Sequence, residues 1–342
     1  MTQRSTFRSL FQRLWNAKQT NCCQYVDANG ARCSKSAIKS HTVQRGRVLA
    51  SIAEQGHVYK IGIPKKPNHP RHRDFEKIGL RKASVFPGFC ESHDFSLFNS
   101  FETGQGDLAP QELALQGYRC ICHETYKKER AERVYSNHEL LSALKQQDPR
   151  ALLQAEKYLE GTRLALRDLE RQKKSFENIL HEKDMKQLYA TVFVLGGKLP
   201  LAYSSSFAPE FAFDGKLLLP EQYGDWNSVS VFCGAIKLQT VLAFVGIQDI
   251  DGHDLSKFFR TLETLDFQRI GALALHTAIE HAENTFFRPS WIEQLLPEIK
   301  DELLFRFGDG VPGEPNSRKK NLAKQFDIVR APAIRRYNFS PT

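Results

Sequence analysis

Cys22 to His41 reads CCQYVDANGARCSKSAIKSH, and Phe86 to Phe98 reads FPGFCESHDFSLF. In the first stretch, Cys23 and Cys33 flank Asp27-Ala28-Asn29-Gly30, a turn-forming tetrapeptide that brings the two thiols together. In the second, Pro87-Gly88 precedes Cys90 and His93, a Cys-x-x-His pair at the start of an apolar-periodic segment with Phe95, Leu97, Phe98 and Phe101. Two thiols from a hairpin plus a thiol and an imidazole from a first helical turn are the usual tetrahedral zinc set. Cys23, Cys33, Cys90 and His93 are therefore the expected ligands of a structural Zn2+. Cys22 and Cys23 are equivalent candidates for the first position. The competing reading makes Cys33 and Cys90 small buried apolar groups and His93 a surface histidine.

Working outward, residues 5–18 suit a basic amphipathic helix with Phe7, Leu10, Phe11, Leu14 and Trp15 on one side, expected to pack on the domain behind it. A short helix pattern covers roughly 43–55, and residues 57–63 alternate as a strand. Lys65 to Arg73, KKPNHPRHR, is a basic loop broken by prolines. Its Lys65, Lys66, Arg71 and Arg73 are candidate contacts to a phosphate backbone. Residues 113–134 read as a helix. Cys120 and Cys122 point about 200° apart there and cannot share a metal. Residues 150–183 form a long helical pattern, either a dimerising coiled coil or a connector. From Leu188 the pattern changes to strands at 188–195, 199–203, 228–236 and 237–247, then helices at 254–265, 266–283 and 289–305. His276 and Glu280, four apart on a helix, are a weaker candidate metal pair.

The expected fold class is α+β: a small zinc-knuckle ββα-like N-terminal domain (1–135), a helical connector (136–186), a mixed α+β domain (187–310) and a basic tail (311–342). The tail is read as poorly ordered, with Tyr337 and Phe339 able to dock.

The chain has 342 residues and a net charge of +9. Residues 1–80 hold 15 Lys+Arg against 4 Asp+Glu, a balance of +11. Residues 311–342 hold 7 against 2, a balance of +5. Residues 81–310 are therefore net acidic. Charge concentrated around the proposed metal site suits a polyphosphate partner, with DNA preferred to RNA. No long apolar run predicts a membrane span. Seven cysteines without a regular framework suit a reducing compartment, so a cytoplasmic location is expected.

The spacing from Cys33 to His41, with Ser40 and Gln44, together with Phe89-Cys90-x-x-His93-Asp94-x-x-Leu97-Phe98, resembles a group of uncharacterised bacterial proteins. The layout is also similar to zinc-bound HNH (His-Me finger) endonucleases, in which paired zinc ligands brace a ββα unit. The likeness covers about residues 20–105. It implies His41 as general base and Asp94 as ligand of a catalytic Mg2+ or Mn2+, with Asn99 assisting. It also implies a bacterial defence or mobile-element setting. Three departures stand out: Ser40 in place of an acidic residue, His93 in place of a second cysteine, and Asp94 where His or Asn is usual. The alternative function is a non-catalytic zinc-stabilised scaffold within a larger assembly, with a homo-oligomer or partner protein engaged through the long helix.

Overall fold

Leu188–Leu195 (β5), LYATVFVL, alternates between two apolar surfaces rather than between core and water. Leu188, Ala190 and Val192 join one core cluster, and Phe193 and Leu195 join another. Val241, Ala243, Val245 and Ile247 of Gln239–Ile247 (β8) face the first cluster, and Leu242 and Phe244 the second. A strand buried on both faces must be covered by helices on both faces, and that is the architecture. The computed structural model describes residues 3–17, 22–62, 73–103, 106–147, 149–213, 215–218, 225–237, 239–249, 252–308 and 328–341.

Eight antiparallel strands form the main sheet. From one edge to the other they are Ala333–Phe339 (β10), β5, β8, Val229–Ile236 (β7), Leu201–Phe207 (β6), Thr285–Phe287 (β9), His57–Gly62 (β2) and Asp74–Gly79 (β3). One face is covered by Pro110–Tyr135 (α3), against which Pro149–Glu182 (α5) packs antiparallel. The pairs Tyr118–Glu177 and Glu132–Arg163 mark that direction. Gly117 permits the close approach, since a Cβ there would come within 2.7 Å of the Phe176 ring. The opposite face carries Ser256–Glu263 (α6), Ile270–Glu280 (α7), Pro289–Gln294 (α8) and Pro297–Gly308 (α9).

The fold class is α+β. The long helix is no free connector, because α5 is packed along α3. Nor does the sheet respect the boundaries drawn from sequence. The β2–β3 hairpin lies within the stretch assigned to the N-terminal domain, yet Tyr59 of β2 pairs with Phe287 of β9. The end of the tail is an edge strand on β5, with Tyr337 opposite Val192. Its alternation explains this: Tyr337 and Phe339 pack against the core, and the Tyr337 hydroxyl accepts a 3.0 Å bond from the Leu108 N–H. Residues 311–327 lie outside the described residues.

Gln3–Asn16 (α1) packs as its apolar stripe demands. Leu10 is buried with Val134 and Leu140, next to His138–Gln147 (α4), and the Arg130 guanidinium lies 4.5 Å from the Trp15 ring. In place of the helix expected near 43–55 there is one π-helical turn, Arg45–Leu49.

Candidate metal centre and its surroundings

The hairpin that carries Cys23 and Cys33 is built by its turn. Asp27 Oδ1 accepts from the Asn29 and Ala31 N–H groups, each at 2.9 Å, and Gly30 takes φ +79°. Gly30 suits that conformation because it has no Cβ. The Cys23 N–H bonds to the Lys35 carbonyl (2.8 Å) and the Cys33 N–H to the Tyr25 carbonyl (2.9 Å), so both thiols sit on one closed loop.

The other pair comes from a ββα unit. Lys39–His41 (β1) pairs antiparallel with Val85–Pro87 (β4), and Glu91–Thr103 (α2) follows at once. Residues 42–84, inserted between the two strands, supply β2 and β3 to the main sheet. Cys90 stands just before α2 and His93 in its first turn.

The four donor atoms of Cys23, Cys33, Cys90 and His93 lie within 4.8 Å of one another. His93 Nδ1 is 3.4 Å from both Cys23 Sγ and Cys90 Sγ. Ligands about 2.3 Å from a tetrahedral zinc stand about 3.8 Å apart, so the spacing fits. The cluster can hold a metal ion. Cys23 is the buried thiol and Cys22 is exposed, which decides between them. Burial raises the Cys90 thiol, but bonds from Ser92 and the His93 backbone outweigh it and bring the group to about 7. Tyr25 covers His93, with ring centroids 4.0 Å apart.

Beside this knot stand His41 and Asp94. Asp94 Oδ1 lies 3.8 Å from Arg119 Nη2 on α3, and the Arg119 guanidinium is held 3.6 Å from the Phe98 ring centre. His41 Nε2 is buried without a hydrogen-bond partner. Burial lowers the His41 pKa, and the positive charges of Arg45 and Arg119 lower it further, against an opposing pull from Asp94. Burial and the two arginines thus favour the neutral form of His41, while the Asp94 carboxylate acts on it electrostatically.

Asp94 already faces a buried cation, and among the described residues no set of three or more donor groups other than the cysteine–histidine cluster comes together. Nor do His41 and Asp94 line the cavity of about 440 Å³ nearby, which is bounded by Tyr25, Leu97, Ser100, Tyr118, Glu177 and His181. Sequence reasoning missed Arg119, because nothing in the local pattern of α3 marks a buried arginine as the partner of a residue on α2.

Other candidates are dispersed. Cys120 and Cys122 are buried on opposite sides of α3, with Cys120 Sγ 3.0 Å from Ser204 Oγ, and burial pushes both thiols up to about 12. His276 is 2 % exposed, with neither ring nitrogen hydrogen-bonded, and His281 stacks on Phe207. Lys65, Lys66 and Arg71 lie outside the described residues. Arg73 is described, and its guanidinium lies 5.3 Å from the centre of the Phe307 ring. No described helix is long and apolar enough to cross a membrane. No protein-family profile, curated protein or solved structure matches the chain.

Proposed function

We propose that the chain is a nucleic-acid-binding protein braced by a structural zinc. The observation that carries this reading is the set of exposed cations held around the metal knot. Lys35 leaves the cysteine hairpin, Lys39 opens β1, and Arg45 and Arg47 stand on the π-helical turn that follows His41. All four are exposed. The zinc fixes the loops that carry or adjoin them, and backbone phosphates supply the complementary charge. The chemistry of the site fits zinc: three sulfurs and one imidazole nitrogen are the four donors of a structural tetrahedral site.

The test is binding of labelled DNA and RNA across a salt series. Affinity falls steeply with salt, because each phosphate contact releases condensed counterions. Replacing Lys35, Lys39, Arg45 and Arg47 together with Gln flattens the slope by about one for each phosphate contact removed. Absence of binding at low salt overturns the proposal and leaves the scaffold reading.

A second reading is favoured by the unpartnered Nε2 of His41. A neutral imidazole with a free lone pair, near Asp94 and at the end of β1 in a ββα unit, has the character of a general base for phosphodiester hydrolysis. This supports the HNH-like endonuclease reading, for which the resemblance alone implies a defence or mobile-element role. The divalent cation that such nucleases use would have to be held by Asp94 together with water and substrate phosphate oxygens.

A further inference from the structure

The cysteine hairpin, α2, the start of α3 and the end of α5 enclose the cavity of about 440 Å³. That volume is in the range of small-molecule sites. Leu115 and Tyr118 in its lining are buried, whereas Ser96, Ser100 and Gln111 are exposed, so it has a closed floor and an open mouth. Leu97, Leu180 and the Tyr25 ring add apolar wall, and the contact with His93 holds Tyr25 in place.

The polar part of the lining is one-sided. In a chain of net charge +9, no lysine or arginine lines this cavity, while Glu112 and Glu177 both do. Each carboxylate is engaged through one oxygen. Glu177 Oε1 accepts from Lys173 Nζ at 2.7 Å and from the Tyr118 hydroxyl at 2.9 Å. Glu112 Oε2 accepts from Lys237 Nζ at 2.6 Å and from the Ala109 N–H at 2.9 Å. The second oxygen of each accepts no bond among the described residues, and neither is sealed from solvent. His181 adds a third acceptor. Its Nε2 lies 2.9 Å from the Val26 carbonyl, which can only accept, so Nε2 carries the proton and Nδ1 the lone pair of the neutral ring. The positive end of α3 is met by Glu112 itself, and Pro110 has no N–H to offer. A ligand that carries positive charge and donates hydrogen bonds suits this wall, and a phosphate or carboxylate does not.

We propose that this cavity binds a small organic ammonium ion. The ammonium group bonds to the second oxygen of Glu177, in the field of Glu112, and the apolar body lies against Leu97, Leu115 and Leu180. The proposal is independent of nucleic-acid binding and of any role of His41.

The experiment titrates tryptamine, tryptophol and indole-3-propionate into the full chain at neutral pH by calorimetry. The three share one ring system and differ in the head group. Tryptamine binds, and tryptophol binds about tenfold or more weakly, because it lacks the charge-assisted hydrogen bond. Glu177→Gln weakens tryptamine by a similar factor and leaves tryptophol unchanged. Ser100→Trp, which fills the mouth from an exposed position, abolishes tryptamine binding while circular dichroism shows the wild-type fold. Absence of tryptamine binding, equal binding of the three compounds, or tighter binding of the carboxylate overturns the proposal. Tryptamine binding unchanged in either variant overturns it too, since the ligand then sits elsewhere or its head is held by another group.

Discussion

Arg119 Nη2 lies 3.8 Å from Asp94 Oδ1, although the Arg119 side chain is only 1 % exposed. A buried cation is costly unless it is paired, so Asp94 offsets part of the cost of burying the Arg119 side chain. The pair ties α2, and with it half of the metal knot, to the helix that covers the sheet. It also sets the polarity around His41, which is held neutral by burial and by nearby positive charge.

Elemental analysis of the purified protein finds about one zinc per chain. Cys90→Ser lowers the zinc content and drops the melting temperature by at least about 10 °C, since a structural metal contributes many kcal/mol of folding energy. Cys22→Ser, at the exposed neighbour, leaves both unchanged. A fully folded wild type without metal contradicts the assignment.

His41→Ala keeps its zinc, because His41 stands outside the donor cluster. In a plasmid-nicking assay with Mg2+, Mn2+ or Ni2+, the same variant loses about 10^2–10^4 in rate if His41 is the base. Zinc loss in His41→Ala would mean the imidazole braces the knot. A wild type that binds DNA but never cuts it removes the hydrolytic reading alone.

Stability declines on acidification. His276 is buried and its pKa is lowered from 6.5 to about 4 by desolvation, with the Arg306 charge adding to it. The unfolded chain binds the proton first. The histidine's contribution is therefore complete above pH 6.5 and is lost as pH falls to about 4, which amounts to about 3 kcal/mol. Urea titrations at a series of pH values measure it. His276→Leu flattens the dependence in that window, and an unchanged slope would show that the folded protein protonates His276 freely.

Gly117→Ala destabilises by about 1–3 kcal/mol through overpacking, since its Cβ would meet Phe176 in the α3–α5 contact. Phe176→Leu in the same chain recovers part of the loss. Denaturant midpoints of the single and double variants decide this, and a neutral Gly117→Ala would show that the helices can separate at no cost.

The metal knot is legible in sequence because its donors sit on local structure. The turn at Asp27–Gly30 and the first turn of α2 are written in adjacent residues, and only the meeting of the two is long-range. The strands from Leu188 onward are equally plain, since a run buried on both faces is continuously apolar. The placement of β2, β3 and β10 is not legible. A strand carries its own alternation but no mark of its neighbour, so Tyr59 gives no hint of Phe287. The Arg119–Asp94 pair is hidden for the same reason, joining two helices whose patterns are each complete without it. The basic end of the chain reads as loose from its charge, while the alternation Tyr337, Phe339 already suits a half-buried strand.

The strand order bears on how the protein is made. The cysteine–histidine cluster spans only Cys23 to His93 and can close early on the ribosome. The β2–β3 hairpin finds its place only when Thr285–Phe287 has emerged, and the opposite edge waits for Ala333–Phe339. For most of synthesis the nascent chain carries an unpaired strand edge, the kind of surface that recruits wrong partners. Metal captured at the start would anchor that segment while it waits, so zinc starvation during expression should reduce the soluble yield of newly made chains more than it harms protein already folded.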